Sequence, residues 1–462
     1  MEYREYAEYQ EYMTSLQEQI HDRRAKQSVE REIGGHIEAQ CAACEASGMP
    51  REQAVAEAVR QMGSPVEVGA ELNKIHRPKT PVGMLFLVAA LMVMGLVMQS
   101  HIFWQLKFMF KDTYLYRSIF YNIIGFGVIC IMLFMDYNFL GRYASRIYAG
   151  LFTAILLFGL LGESFQIGRA QWLSIRYYLP GFLPLVLAGL VYQNRGKGAR
   201  GMVRCLLLMA AICGVTLLIL ENFSGMVEGA GICILLMCIV LWKDIFHIGQ
   251  RRSRLLLGGL CALGVAAGVI FVIRLCSVPI EDVTTFKMAR LMAFINPAAM
   301  ADSTGYSVLR QRGAMAGYHL LGGRTLPFEA DSSQASTYII SSLLSWYGVA
   351  AGIVVVGAML AFGIYGLRIS LKQSNRLGML LGSVCSISLL YRTCMAVLIN
   401  LGWFVEYTMS VPFLGFGLAG TLFNSVMIGI ILCVYRNERI LCELPDDRDK
   451  ARWRLKLQWV KE

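Results

Sequence analysis

The residues able to do chemistry are concentrated in one polar stretch, 278–337, set between two strongly apolar runs. It carries the carboxylates Asp302, Glu329 and Asp331 and the cations Lys287, Arg290, Arg310, Arg312 and Arg324, among many Gly and Ser positions. Acids beside guanidiniums are what proton transfer and anion binding require. Long loops within compact folds are usually functional or disordered, so the chemistry is expected here first. Asp302 lies in Asp-Ser-Thr-Gly, which is also a good turn sequence, so a local structural role stands beside a catalytic one.

The elements that must position this stretch are set by composition. The chain has 462 residues, 56% hydrophobic and 16% charged, against about 45–50% and about 25% in soluble domains. The apolar content falls in long blocks, which implies an all-α, polytopic membrane protein. Apolar runs lie near 82–99, 118–135, 147–162, 179–193, 203–220, 225–242, 255–275, 338–363, 377–399 and 412–435, about ten spans. The third and fourth are short, so nine or eleven also fit. The polar stretch then becomes a large loop between spans 7 and 8.

Residues 1–80 carry 10 Lys/Arg against 14 Asp/Glu, while the remainder carries 33 basic against 18 acidic residues. The basic excess lies mostly between spans: Arg142 and Arg146; Arg195, Lys197, Arg200 and Arg204; Lys243, Arg251, Arg252 and Arg254; Arg368, Lys372 and Arg376. That is the positive-inside pattern, not a nucleic-acid footprint. It places both termini in the cytoplasm and the loop 278–337 on the outer face, where no ATP is available. Lys107, Lys111 and Arg117 in the first outer loop fit less well. Glu228 and Arg392 fall within apolar runs, where charges are costly. Glu228 is expected near headgroup level, and Arg392 needs a partner or a wet cavity.

Residues 1–80 read as a small soluble helical domain. Segments Ala7–Val29 and Glu30–Ala46 place Met13, Leu16 and Ile20, then Ile33, Ile37 and Cys41, at helical spacing. Gly48-Met-Pro50 introduces Arg51–Met62, and Gly63-Ser-Pro65 opens a last short helix through Leu72. A regulatory or docking module is the favoured reading, since nothing catalytic is present. A charged tail, 441–462, closes the chain. No apolar segment of signal-peptide type precedes the first span. The lone Cys41-Ala-Ala-Cys44 is a weak metal or redox signal, and most other cysteines sit in apolar runs as small hydrophobes. No P-loop, HExxH or GxSxG is present.

Two stretches together resemble the SEDS family (RodA, FtsW and SpoVE), the polytopic polymerases of bacterial cell-wall synthesis. The first is Arg290-Leu-Met-Ala-Phe-Ile-Asn296-Pro297, then Gly305-Tyr306 leading to Arg310-Gln311, Leu326-Pro327 and Thr337-Tyr-Ile-Ile340. The second is Asn400-Leu-Gly402 followed by Val411-Pro412-Phe413-Leu-Gly415-Phe416-Gly417. A weaker match is Gly168-Arg-Ala-Gln-Trp172-Leu. The resemblance covers residues 81–440, and residues 1–80 look like a cytosolic prefix domain of Gram-positive membrane proteins.

The resemblance implies a peptidoglycan glycosyltransferase that polymerises lipid II, the undecaprenyl-diphosphate-linked disaccharide peptide, at the outer face of the plasma membrane. It implies service to cell division, cell shape or sporulation and a class B penicillin-binding transpeptidase as partner. An inactive scaffold or a precursor flippase are the alternatives. A carboxylate would activate the attacking sugar hydroxyl: Asp302, or else Glu329 or Asp331. Arg290, Arg310, Gln311 and Arg324 would bind substrate, and a divalent cation such as Mg or Mn would help the diphosphate depart. Asn296, Pro297, Gly305, Tyr306, Pro412, Gly415 and Gly417 would be structural. The chain departs from the family pattern in informative places. The acidic column falls on Met300, with Asp302 two residues on; Gln of the Gly-Tyr motif falls on Arg310; Asp becomes Thr337; a Glu-Glu pair becomes Ser345-Trp346.

Overall fold

The computed structural model describes residues 2–75, 78–105, 111–161, 178–219, 222–276, 292–293, 296–303, 305–322, 337–404 and 409–438. Among them there is no strand. Two compact units separate: the residues up to Pro81 with Tyr435–Glu438, and the body from Val82 to Val434.

The first unit holds four helices, α1 (Ala7–Glu18), α2 (Arg23–Ala46), α3 (Arg51–Gln61) and α4 (Pro65–Ile75). Their common core is built by the two predicted stripes: Met13, Leu16, Ile20, Ile33, Ile37 and Cys41 are all buried, joined by Val29, Val55 and Ala58. The first break falls at residues 19–22, not after Val29. Ile20 sits in that break and is still 1% exposed, so burial overrides the continuous helical pattern. Burial also pushes the Cys41 thiol up, with Cys44 and Glu45 adding to the effect, which disfavours the thiolate that metal or redox chemistry needs. Lys79 fastens the end of this unit: its amide donates to Arg436 O (3.1 Å), its ammonium pairs with Glu438 and lies 5.6 Å from the Tyr435 ring.

In the second unit a helix lies on each of the ten predicted intervals: α5 (Val82–Gln105), α6 (Lys111–Phe134), the short α7 (Asn138–Arg142) leading to α8 (Ala144–Leu161), α9 (Leu183–Gln193), α10 (Gly198–Leu218), α11 (Phe223–Trp242), α12 (Gln250–Cys276), α13 (Tyr306–Met315) in the loop, α14 (Ile339–Tyr347) with α15 (Val349–Leu371), α16 (Arg376–Asn400) and α17 (Leu418–Arg436). Among the described residues, seven helices are long and apolar enough to cross a membrane, with α8 and the 179–193 segment as shorter apolar helices. In hydrocarbon every backbone polar group must be paired internally, so apolar runs of this length become helices. Asparagines cap several of them: Asn222 accepts from Gly225 N–H (2.9 Å) and Asn375 from Leu377 N–H (2.9 Å).

The predicted eighth span is not one helix. It breaks at Gly348, where φ is +90° and ψ 168°, between α14 and α15. A Cβ there would meet Leu320 O at 2.6 Å. The break lets the loop segment dock: Val349 N–H donates to His319 O (2.9 Å) and Ala350 N–H to Leu320 O (3.1 Å). Gly348→Ala is expected to lower stability by about 1–3 kcal/mol through backbone strain, read as a drop in melting temperature of the detergent-solubilised protein.

Candidate functional site

The described part of the loop 278–337 is a capped turn followed by a helix. Asn296 N–H donates to Met292 O (2.9 Å), and Asn296 Oδ1 accepts from Ala299 N–H (3.3 Å), capping the 3-10 turn Pro297–Met300. Gly305 N–H returns to Met300 O (2.9 Å). A Cβ on Gly305 would lie 2.2 Å from Pro297 O, which explains why glycine precedes Tyr306. Met300 packs on Ala293 and Val308. Asp302 is exposed on the turn beyond it. Tyr306 is 58% exposed, and the Arg310 guanidinium lies 5.8 Å from its ring.

One polar node ties this loop to the membrane helices. Asn400 Oδ1 accepts from Ser341 N–H (2.8 Å), and Asn400 Nδ2 donates to Thr337 O (3.0 Å) and Ala396 O (2.8 Å). The Ser341 hydroxyl lies 2.9 Å from Gln311 Oε1 and 3.0 Å from Asn400 Oδ1. Arg312 Nε donates to Gly402 O at 2.8 Å. Gln311, expected to bind substrate, is 2% exposed and faces this node, where it joins α13 to α14 through the Ser341 hydroxyl. Burial pushes the nearby Tyr318 phenol above its ordinary value, with Ser341 opposing the shift. Asn400→Leu strands the Ser341 amide and the Thr337 carbonyl. It is expected to cost about 1–3 kcal/mol per stranded group and to loosen the loop, read by thermal unfolding and by faster amide exchange in 305–318.

The second motif forms a buried turn. Residues 410–415 are all buried, Phe413 sits at φ +63° and Gly417 at φ +119°. Leu414 O accepts from Gln99 Nε2 (2.7 Å), and a Cβ on Gly415 would lie 2.5 Å from Ser410 Oγ. Pro412 lies in the same buried turn. Non-helical backbone at membrane depth is tolerated when protein encloses it. Asn122, Ser410, Asn424 and Ser425 line a cavity of about 20 Å³ beside it, room for one water.

Glu228 and Arg392 meet. Arg392 Nε donates to Glu228 Oε1 at 2.7 Å, with side chains 3% and 5% exposed. The guanidinium also lies 4.0 Å from the Phe423 ring centre and 5.6 Å from that of Tyr178. The headgroup-level placement expected for Glu228 is therefore corrected: it is 4% exposed, inside the protein, held there by its partner. The sequence signal was the presence of one acid and one base in apolar runs; 164 residues separate them, so proximity was not legible.

Arg290, Arg324, Glu329, Asp331 and the Gly168–Leu173 segment lie outside the described residues. Among the described loop residues Asp302 is the one carboxylate, and no group of three or more His, Cys, Asp or Glu converges there.

These features define a polytopic α-helical membrane protein with an elaborated loop between its seventh and eighth spanning segments. The cell cycle protein family of FtsW, RodA and SpoVE matches residues 82–440, and the chain belongs to it. Proteins named probable peptidoglycan glycosyltransferase FtsW from two strains of Geobacter sulfurreducens are 23% identical over 390 residues, spanning 79% of this chain and 97% of theirs. Among solved structures, a chain described under structural coordination of polymerization and crosslinking by a peptidoglycan synthase complex shares the fold, with a TM-score of 0.58 and 17% identity over 77% of this chain and 97% of that one. A variant of the rod shape determining protein RodA of Thermus thermophilus aligns with a TM-score of 0.48 and 14% identity, over 78% and 98%. The chain is thus a multi-pass bacterial membrane protein of the cell-wall machinery.

Proposed function

We propose that this protein is a divergent peptidoglycan glycosyltransferase that polymerises lipid II at the outer membrane face, with both termini cytoplasmic and a class B penicillin-binding transpeptidase as partner. The reading rests on the loop architecture: the Asn296 cap and the Gly305 turn hold Asp302 exposed just ahead of α13, the helix that carries Arg310, and the Asn400–Ser341–Gln311 node anchors that helix. Asp302 takes the proton of the acceptor sugar hydroxyl. That oxygen bonds to the donor anomeric carbon as the bond to the diphosphate breaks. Arg310, together with Arg290 and Arg324, stabilises the departing undecaprenyl diphosphate. Residues 1–80 act as a regulatory or docking module.

A second reading, a scaffold without catalysis, is favoured by Met300, whose side chain fills an apolar cluster where the family keeps its acid. The full-length protein with lipid II, Mg²⁺ or Mn²⁺ and candidate transpeptidases separates the two. Glycan chains support the enzyme. Absence of product in every combination overturns it and leaves the scaffold.

A further inference from the structure

The loop chemistry makes no use of an apolar cavity of about 450 Å³ between α8 and the 179–186 segment, lined by Leu140, Ala144, Leu151, Ala154, Phe182 and Val186 among others. It is a slot open along one side at the surface of the bundle, and an apolar slot is a poor site for ordered water. Within a bilayer the medium available to fill the cavity is hydrocarbon chain.

The charges at one end say which lipid. Leu140, Ala144 and Ile147 line the cavity, and the turns that carry them also carry Arg142 and Arg146, both exposed. The Arg146 guanidinium lies 5.3 Å from the Tyr143 ring. Two exposed guanidiniums at the mouth of an apolar slot complement an anionic headgroup with an acyl chain beneath it. We propose that this face binds one anionic glycerophospholipid, its acyl chain in the α8–α9 slot and its phosphate at Arg142 and Arg146. The lipid belongs to the leaflet that meets residues 142–146, the cytoplasmic one in the orientation proposed above. It is a resident lipid, separate from any substrate handled at the outer loop.

The test is native mass spectrometry of the full-length protein titrated with palmitoyl-oleoyl phosphatidylglycerol. One bound lipid is expected, held more tightly than the phosphatidylcholine of the same chains. Arg142→Gln with Arg146→Gln should weaken phosphatidylglycerol about 30-fold and leave phosphatidylcholine unchanged. These positions are exposed, so folding is not at stake. Gly150→Phe should weaken both lipids; nothing lies within 4 Å of a Cβ there, so the ring has room to enter the slot. Equal affinity for the two lipids, or wild-type phosphatidylglycerol binding in either variant, overturns the proposal. So does displacement of phosphatidylglycerol by equimolar undecaprenyl phosphate, which assigns the slot to a prenyl chain. None of these readings depends on polymerase activity.

Discussion

Arg392→Ala is expected to destabilise the protein by about 3–5 kcal/mol, because it leaves the Glu228 carboxylate buried without its counter-charge. The guanidinium is held by three partners at once: the 2.7 Å bond to Glu228, the Phe423 ring at 4.0 Å and the Tyr178 ring at 5.6 Å. Lysine cannot reproduce the planar stacking, so Arg392→Lys should recover only part of the loss. The double variant Glu228→Leu with Arg392→Leu removes both charges and should stand well above either single variant, since well-packed apolar side chains often replace a buried pair at little cost. Thermal unfolding in detergent of the two single variants and the double variant completes the cycle. Wild-type stability of Arg392→Ala would mean that the pair contributes nothing. A double variant no better than the singles would mean that the charges serve separate partners.

The pair also marks the limit of what the sequence discloses. Among the described residues, run lengths located the seven helices long and apolar enough to cross a membrane, although one of them starts at Val349 rather than at 338, because hydrocarbon leaves an apolar run of that size little choice but helix. The two stripes of the N-terminal unit were equally plain, since Leu16 and Ile37 recur with the period of the surface they bury. Three features were not legible. Gly348 is one glycine among several in its run, and only its φ of +90° makes it a break. Gln311 looks like any polar loop residue until Ser341 and Asn400 close around it. The meeting of Glu228 and Arg392 is a property of how α11 and α16 pack. In each case a contact distant in sequence decides, and one-dimensional patterns carry no information on such contacts.

In the loop 278–337, Met300 and Asp302 lie on one turn, and substitutions at the two separate their roles. Asp302→Asn keeps shape and removes the base, and the residue is exposed, so stability should change by less than about 0.5 kcal/mol. Polymerisation of lipid II should nevertheless fall by about 10²–10⁴-fold, in kcat more than in KM, the range for loss of a general base. Met300→Leu keeps the packing on Ala293 and Val308 and should leave the rate near wild type. Met300→Asp placed in the Asp302→Asn background returns a carboxylate to the same turn, two residues earlier, where Gly305 N–H donates to Met300 O at 2.9 Å. Partial recovery is expected, limited by the cost of a carboxylate in a half-buried apolar cluster. Unchanged chain formation by Asp302→Asn would remove Asp302 from the mechanism and shift the base to Glu329 or Asp331, each tested by the same substitution to amide. A rate that falls with Asp302→Asn and returns with Met300→Asp would show that the chemistry depends on a carboxylate within this turn rather than on one fixed position.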